Sequence, residues 1–220
     1  MDHHHRHDDA AQDVSELFTQ ETWDARYSES ERIWSGRPNA RLVEHAAGLT
    51  PGDALDVGAG EGGDAVWLAG QGWHVTALDV SEVALSRTAA HAAEAGVADR
   101  VSVLHHDLMT GAPLPGTYDL VSAQYLHPPT ERFAEIIGLL ADAVRPGGTL
   151  LVVGHHPDDA VMKLRGGHRH TELLFLPDKV VPLLPESDWD VRYAGTPSRE
   201  VDGPDGEVSH TDTVVVAVRR

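Results

Sequence analysis

One stretch, residues 54–81, narrows the fold more than anything else in the chain: ALDVGAGEGGDAVWLAGQGWHVTALDVS. It opens on a short apolar run, Ala54-Leu55-Asp56-Val57, of the kind that forms a buried strand. A glycine-rich turn, Gly58-Ala59-Gly60-Glu61-Gly62-Gly63, follows, and then a helical pattern carrying Ala65, Val66, Leu68 and Ala69 on one face. A second β-rich run, from Trp73 to Leu78, ends in Asp79. Strand, glycine turn, helix, strand and terminal acid make up half of a nucleotide-binding βαβ unit.

Glycines let a backbone turn tightly and let a ligand approach where a Cβ would collide. The helix that follows offers unpaired N–H groups at its first turn. Asp79 lies 19 residues beyond Gly60, a spacing that suits a carboxylate accepting from two ribose hydroxyls. The series Gly58-x-Gly60-x-x-Gly63 also satisfies the dinucleotide pattern, so glycine counting does not choose the ligand. The acids do. Asp56 stands two residues before the first glycine and Glu61 lies inside the turn. Both would repel a pyrophosphate and attract a sulfonium and an α-ammonium.

The run Leu55-Asp56-Val57-Gly58-Ala59-Gly60-Glu61-Gly62 resembles the first motif of class I S-adenosylmethionine (SAM) methyltransferases, apolar-Asp-apolar-Gly-x-Gly-x-Gly. That resemblance implies an α/β, doubly wound, Rossmann-like fold. The sheet would be mostly parallel and seven-stranded, with helices on both faces and an antiparallel C-terminal hairpin. It implies SAM as cofactor, held by Asp56, Gly58, Gly60, Glu61, Gly62, Asp79, Val80 and Ser81. An acid after the third strand, with an apolar neighbour, would hold the adenine; Asp107 and Leu108 fit. Ala123 and Gln124, at the end of the fourth strand, complete the set.

Residues 14–39 are unusual, with Trp23, Tyr27 and Trp34 in a chain only 5% aromatic. Trp23 and Tyr27 are four apart and share a helical face. The segment either packs on the domain or forms a lid over the cofactor, with Arg26 or Arg37 near a carboxylate. W-x-x-R-Y followed by W-x-x-x-P-N is similar to the N-terminal segment of small bacterial methyltransferases of the tellurite-resistance and thiopurine type. On that likeness Trp23, Arg26 and Trp34 are cofactor residues.

The remainder is read as one domain over residues 14–220, preceded by a disordered His-rich tail over 1–13. Ser81 is an N-cap for a helix to about Ala95, closed by Gly96. The fourth strand, from Tyr118, leaves through Gln124-Tyr125-Leu126-His127-Pro128-Pro129, and a helix should span about 130–144. Arg145-Pro146-Gly147-Gly148 reads as a tight turn before a fifth strand, 149–154, which ends in His155-His156-Pro157-Asp158-Asp159. Residues 155–187 read as an insertion over the substrate pocket, irregular across 161–181. Two antiparallel strands, 189–194 and 211–218, follow, with a loop at 202–206 between them.

Ligands in open α/β sheets sit beyond the strand carboxyl ends. His127, His155 and His156 are therefore the candidate catalytic residues, since histidine is the natural base at neutral pH. His127 is the first choice, then His155, with His156 orienting. Tyr125, His127, His155, His168 and His170 are candidate substrate contacts. A rival reading gives His127, Asp158 and Asp159 to a divalent metal, magnesium above all, which would acidify an acceptor hydroxyl. The histidine-bearing loops resemble those of actinobacterial O-methyltransferases, including ones of methylated-polysaccharide synthesis.

The function this implies is SAM-dependent O-methylation of a small polar hydroxyl acceptor such as a sugar. The alternatives are methylation of a thiol or tellurite-type soft anion and a SAM-binding sensor without turnover. A nicotinamide-linked reductase lacks its Tyr-x-x-x-Lys pair. A net charge of −18 argues against nucleic-acid and membrane partners. Cysteine is absent from the chain, which rules out disulfides and thiolate metal sites. The chain reads as cytoplasmic, and its oligomeric state stays open, a homodimer included.

Overall fold

The frame of the computed structural model, which describes residues 14–164, 170–203 and 206–220, is one mixed sheet. Its strands are β1 (Asp53–Val57), β2 (His74–Asp79), β3 (Val101–His105), β4 (Tyr118–Gln124), β5 (Val144–His155), β6 (Trp189–Gly195), β7 (Ser198–Gly203) and β8 (Gly206–Arg219). The order across the sheet is β3-β2-β1-β4-β5-β8-β6, and β7 pairs with the first half of β8. The first five strands run parallel, and β8 is antiparallel to both β5 and β6. The winding reverses between β1 and β4, which places a crevice at their carboxyl ends.

The helices are α1 (Gln20–Ser28), α2 (Ala40–Ala46), α3 (Gly63–Gly70), α4 (Glu82–Glu94), α5 (Phe133–Asp142), α6 (Ala160–Leu164) and α7 (Pro177–Val180). Central strands are apolar on both faces because both faces are covered. Ala54, Leu120 and Leu151 pack with Leu42, Leu68 and Trp73 on the α2 and α3 side. Leu55, Val57, Val121 and Leu150 pack with Ile136, Ile137 and Leu140 of α5 on the other. Ser81 caps α4 by accepting from Ala84 N at 3.1 Å, and Gly96 follows the helix at φ +71°.

Three expectations need correction. The sheet has eight strands, not seven. Residues 198–203, read as part of the connection between two strands, form a strand of their own that pairs with β8 as far as Gly203 opposite Gly206; Pro204 and Asp205 of the expected loop lie outside the described residues. Residues 198–203 were hidden as a strand because Arg199, Glu200 and Asp202 give them little apolar content. Second, Arg145–Gly148 lies within β5: Tyr118 pairs with Val144 and the register resumes at Leu120 opposite Thr149. The extra residues are accommodated by a bulge with Gly147 at φ +81°. Third, the stretch 161–181 is not wholly irregular. It carries the end of α6, a 3-10 turn at Thr171–Leu173 and α7, and Leu173, Leu174, Phe175 and Val180 seat it on the core.

Candidate cofactor and acceptor site

The turn between β1 and α3 holds Gly58, Gly60 and Gly62 at φ +71°, +54° and +80°, where a side chain would be strained. A Cβ on Gly60 would also fall 2.8 Å from the Tyr27 hydroxyl and 3.3 Å from Trp34 Nε1. The turn is tied to the end of β2. Gly58 N and Ala59 N donate to Leu78 O at 2.8 and 2.9 Å. Asp79 accepts from Gly60 N at 2.8 Å and from Ser81 N at 2.9 Å.

Behind this turn lie three buried acids, Asp56, Asp64 and Asp79. Burial pushes the carboxyl groups of all three up, and Asp64 and Asp79 push Asp56 further. Asn39 supports Asp64 through its backbone N–H at 2.6 Å and its side-chain amide at 2.7 Å. Asp56 is less well served: its Oδ2 has no hydrogen-bond partner among the described residues. A buried carboxylate without a partner is costly, so this floor favours a cationic ligand.

Residues 20–39 are strapped across the turn. Trp34 Nε1 donates to the Tyr27 hydroxyl at 3.0 Å, and Trp23 packs on Tyr27 with ring centres 5.8 Å apart. The Arg26 guanidinium lies over both indoles, at 4.9 Å from Trp23 and 5.6 Å from Trp34. Asp24 accepts from Ser81 Oγ at 2.6 Å, ahead of α4. Glu61 does not face the crevice floor, as the sequence reading placed it. It accepts from Ile33 N and Trp34 N at 3.1 and 2.9 Å and pairs with Arg87 at 2.8 Å. Arg87 in turn donates to Tyr27 O and Ser30 O. Glu61 and Arg87 thus staple the strap down. Burial pushes the Tyr27 hydroxyl up to about 12, with Asp79 and Glu61 adding to it and the Trp34 donor opposing.

At the neighbouring strand ends, Asp107 caps the 3-10 turn Leu108–Thr110 by accepting from Met109 N at 2.8 Å, and Leu108 is buried beside it. The Val80 carbonyl lies 2.9 Å from His105 Nε2. Ala123 is buried, and Gln124 donates to Ser122 Oγ at 3.0 Å while its Oε1 has no partner among the described residues.

Across the switch point the exits of β4 and β5 meet. Tyr125 has φ +56°, a conformation L side chains avoid unless their surroundings hold them there. Its N–H donates to Val153 O, and its hydroxyl donates to Asp212 Oδ1 at 2.8 Å. The His155 ring packs on Tyr125 at 4.5 Å and stacks with His127 at 5.2 Å and 13°. The structure therefore assembles Tyr125, His127 and His155 into one wall. The His155 backbone N–H donates to His127 Nε2 at 3.1 Å. His156 turns aside: its Nδ1 accepts from Asp158 N at 3.0 Å within its own turn. His170 lies 3.1 Å from Glu172, and His168 lies outside the described residues.

The magnesium set is not assembled. Asp159 is buried and engaged, accepting from Thr211 N at 2.9 Å and Met162 N at 3.2 Å, with His210 Nδ1 at 2.9 Å. Among the described residues no cluster of potential metal ligands unites His127, Asp158 and Asp159. The reason is local: Asp159 is bound by the first turn of α6 and by β8.

Four polar residues here escaped the sequence reading: Arg41, Arg199, His210 and Asp212. Asp212 is fully buried; it pairs with Arg41 at 2.8 Å and with Arg199, and takes the Tyr125 hydroxyl. Burial pushes its carboxyl up, but the His210, Arg41 and Tyr125 contacts and the Arg199 charge outweigh that and hold it well below the usual range. A signal existed. His210 and Asp212 are alternate residues of a strand and so point to one face.

A model of the methyltransferase domain family matches residues 54–148. The ribosomal RNA small subunit methyltransferase C of Alcanivorax borkumensis is 31% identical over 128 residues, 56% of this chain and 38% of that protein. The ubiquinone biosynthesis O-methyltransferase of Burkholderia multivorans is 32% identical over 106 residues, 48% of this chain and 45% of that one. The chain thus spans under half the length of these two relatives. Among solved structures, one described under conversion of a disulfide bond into a thioacetal group during echinomycin biosynthesis superposes with TM-score 0.71 at 23% identity, covering 91% of each chain. A SAM-dependent methyltransferase from Geobacter sulfurreducens, in complex with S-adenosyl-L-homocysteine, superposes with TM-score 0.61 at 19% identity, covering 92% of this chain and 100% of that one.

Proposed function

We propose that residues 54–148, which match the methyltransferase domain family, form a class I SAM-dependent methyltransferase domain, and that this chain O-methylates a small polar hydroxyl compound such as a sugar. The observation that carries the reading is Asp56. Its buried, unpartnered oxygen beside Asp79 suits the positive charge of SAM and has no use in an empty fold. Asp79 would hold the ribose hydroxyls, the turn at Gly58–Gly60 would lie along the nucleoside, and Asp107 with Leu108 would meet the adenine. Residues 14–39 would act as a lid, and residues 155–164 and 170–187 would cover the acceptor.

SAM, held by Asp56, Asp79 and the glycine turn, would supply an electrophilic methyl carbon for an acceptor oxygen, the carbon–sulfur electron pair remaining on sulfur and the hydroxyl proton being left for the protein to receive. The chain must orient the hydroxyl in line and receive that proton. Tyr125, His127 and His155 form the wall where this happens. His127 Nε2 already accepts the His155 N–H, which favours His155 for the role. The same wall carries a phenol and two imidazoles, groups that can hydrogen-bond a sugar or polyol. The Burkholderia relative is itself named for O-methylation. A charge of −18 favours a small acceptor over nucleic acid.

The test has two stages. Thermal shifts with SAM, S-adenosylhomocysteine and NAD should show stabilisation by the first two; stabilisation by NAD alone overturns the family premise. Radiolabelled methyl transfer should then reach a sugar or polyol rather than a thiol or tellurite. His155→Gln should lower kcat by roughly 100-fold or more, the worth of a positioned base, and His127→Gln by less. Undiminished turnover in His155→Gln removes the assignment.

A further inference from the structure

The antiparallel pairing of β5 with β8 sets His155 directly opposite Asp212. Directly opposed residues project to the same side of a sheet, with Cβ atoms about 5 Å apart. His210, two positions along β8, lies on that side as well. Donor atoms of His155, His210 and Asp212 all fall within 4.8 Å of one another. Backbone register alone therefore brings together two imidazoles and one carboxylate.

Each of the two β8 groups is braced from behind. His210 Nδ1 lies 2.9 Å from Asp159 Oδ2, which leaves Nε2 facing Asp212 Oδ1 at 3.1 Å. A carboxylate behind a ligating imidazole is the usual outer-shell brace of a metal site, fixing the tautomer and raising basicity. Asp159 is fixed in turn by the N–H groups of Thr211 and Met162. Asp212 gives its Oδ2 to Arg41 and Arg199 and keeps Oδ1 on the side of the imidazoles and the Tyr125 hydroxyl. Two arginines on the far oxygen keep the carboxylate charged and stop it rotating.

We propose that His155, His210 and Asp212 form a binding site for one divalent transition-metal ion, zinc or a metal of similar preference. Two imidazole nitrogens and one carboxylate oxygen suit zinc, cobalt, iron or manganese better than magnesium, which prefers oxygen alone. Three protein ligands leave positions for water or an acceptor oxygen, the arrangement of catalytic rather than structural zinc. The ion takes the place of the proton between His210 Nε2 and Asp212 Oδ1, and the donors close in from their present spread. The inference deepens the proposed function, since an ion at this wall would lower the pKa of a bound hydroxyl; with the ion bound His155 acts as ligand, and the general-base role given to it above passes to a metal-bound hydroxide. It rests on that reading only for its catalytic meaning; the site itself does not.

The experiment measures metal, not turnover, so failure of one reading leaves the other standing. The full chain is used with His3, His4, His5 and His7 all changed to Gln, which removes the tail as a competing binder. Zinc content after dialysis should be one ion per chain. Cobalt should give the intense visible bands of a four- or five-coordinate nitrogen and oxygen site. His155→Gln should weaken zinc binding at least 100-fold, and Asp159→Asn by 10- to 100-fold, as loss of an outer-shell brace does. Circular dichroism checks that each variant is folded, and the cobalt spectrum of the unaltered site carries the test should a variant fail to fold. Absence of stoichiometric zinc, a weak octahedral cobalt spectrum, or equal affinity in a folded His155→Gln would overturn the proposal.

Discussion

Asp56 shows how far a single side chain reaches. Its folded carboxyl is held well above its unfolded value by burial and by Asp64 and Asp79. A group raised in this way stabilises the fold only while protonated, and that contribution is lost as pH rises through the folded value. At neutral pH Asp56 therefore costs the ligand-free chain stability. Asp56→Asn should raise the ligand-free melting temperature at pH 7.5 and weaken SAM binding by about 2 kcal/mol, roughly 30-fold, the scale of a lost charged hydrogen bond. Calorimetric titration and thermal melts check both signs, and a destabilised Asn variant would contradict the account. The placement of Asp56 and Asp79 at adjoining strand ends was legible in the sequence, because a strand next to glycines has few reasons to carry acid there. Asp212 and His210 were not. Alternation puts them on one strand face, but their meaning depends on a register with β5 and on arginines contributed from α2 and β7, which that alternation does not announce.

The most informative element is the strap formed by α1 and residues 29–39. The sequence suggested a lid from its aromatic residues, yet it assigned Glu61 to the ligand, because a carboxylate inside a glycine turn looks like part of the floor. The structure directs Glu61 outward to two strap N–H groups and Arg87, so its charge serves closure. Glu61→Gln should free the strap at a local cost of about 2 kcal/mol. Hydrogen exchange should then quicken roughly 30-fold at Ile33 and Trp34 while β1 and β4 stay protected. Uniform acceleration across the sheet would mean that Glu61 supports the whole fold instead. Strands β1 to β5 could be read because they are continuous apolar runs. β7 could not, since an edge strand of charged residues looks like a loop until its partner is known.

Across the whole molecule, two sets of carboxylates respond to pH in opposite directions. Asp56, Asp64 and Asp79 are raised by burial, so lowering the pH from 8 relieves them and stabilises the chain. Asp212, Asp24 and Glu61 are held low by their partners; their contribution is present above about pH 4, the ordinary carboxylate range, and is lost as pH falls further. The melting temperature of the ligand-free chain should therefore climb from pH 8 to about 5 and fall steeply below about 4. Saturating SAM should flatten the climb, because a bound cation already relieves the acids. At the alkaline end the raised Tyr27 hydroxyl is protective below pH 10, and that protection is lost as pH rises through about 12. Tyrosinate absorbance would report strap release there. A monotonic decline from pH 8 downward would contradict the opposed response.

Tyr27 and Trp34 rest against Gly60, so a nucleoside that binds at that turn would have to displace this cover. Each catalytic cycle would then have to raise the cover once for the fresh donor and again for the spent thioether. The tempo of such an enzyme would be governed by a hinge remote from the migrating carbon, and solvent viscosity would slow it more than any change of acceptor.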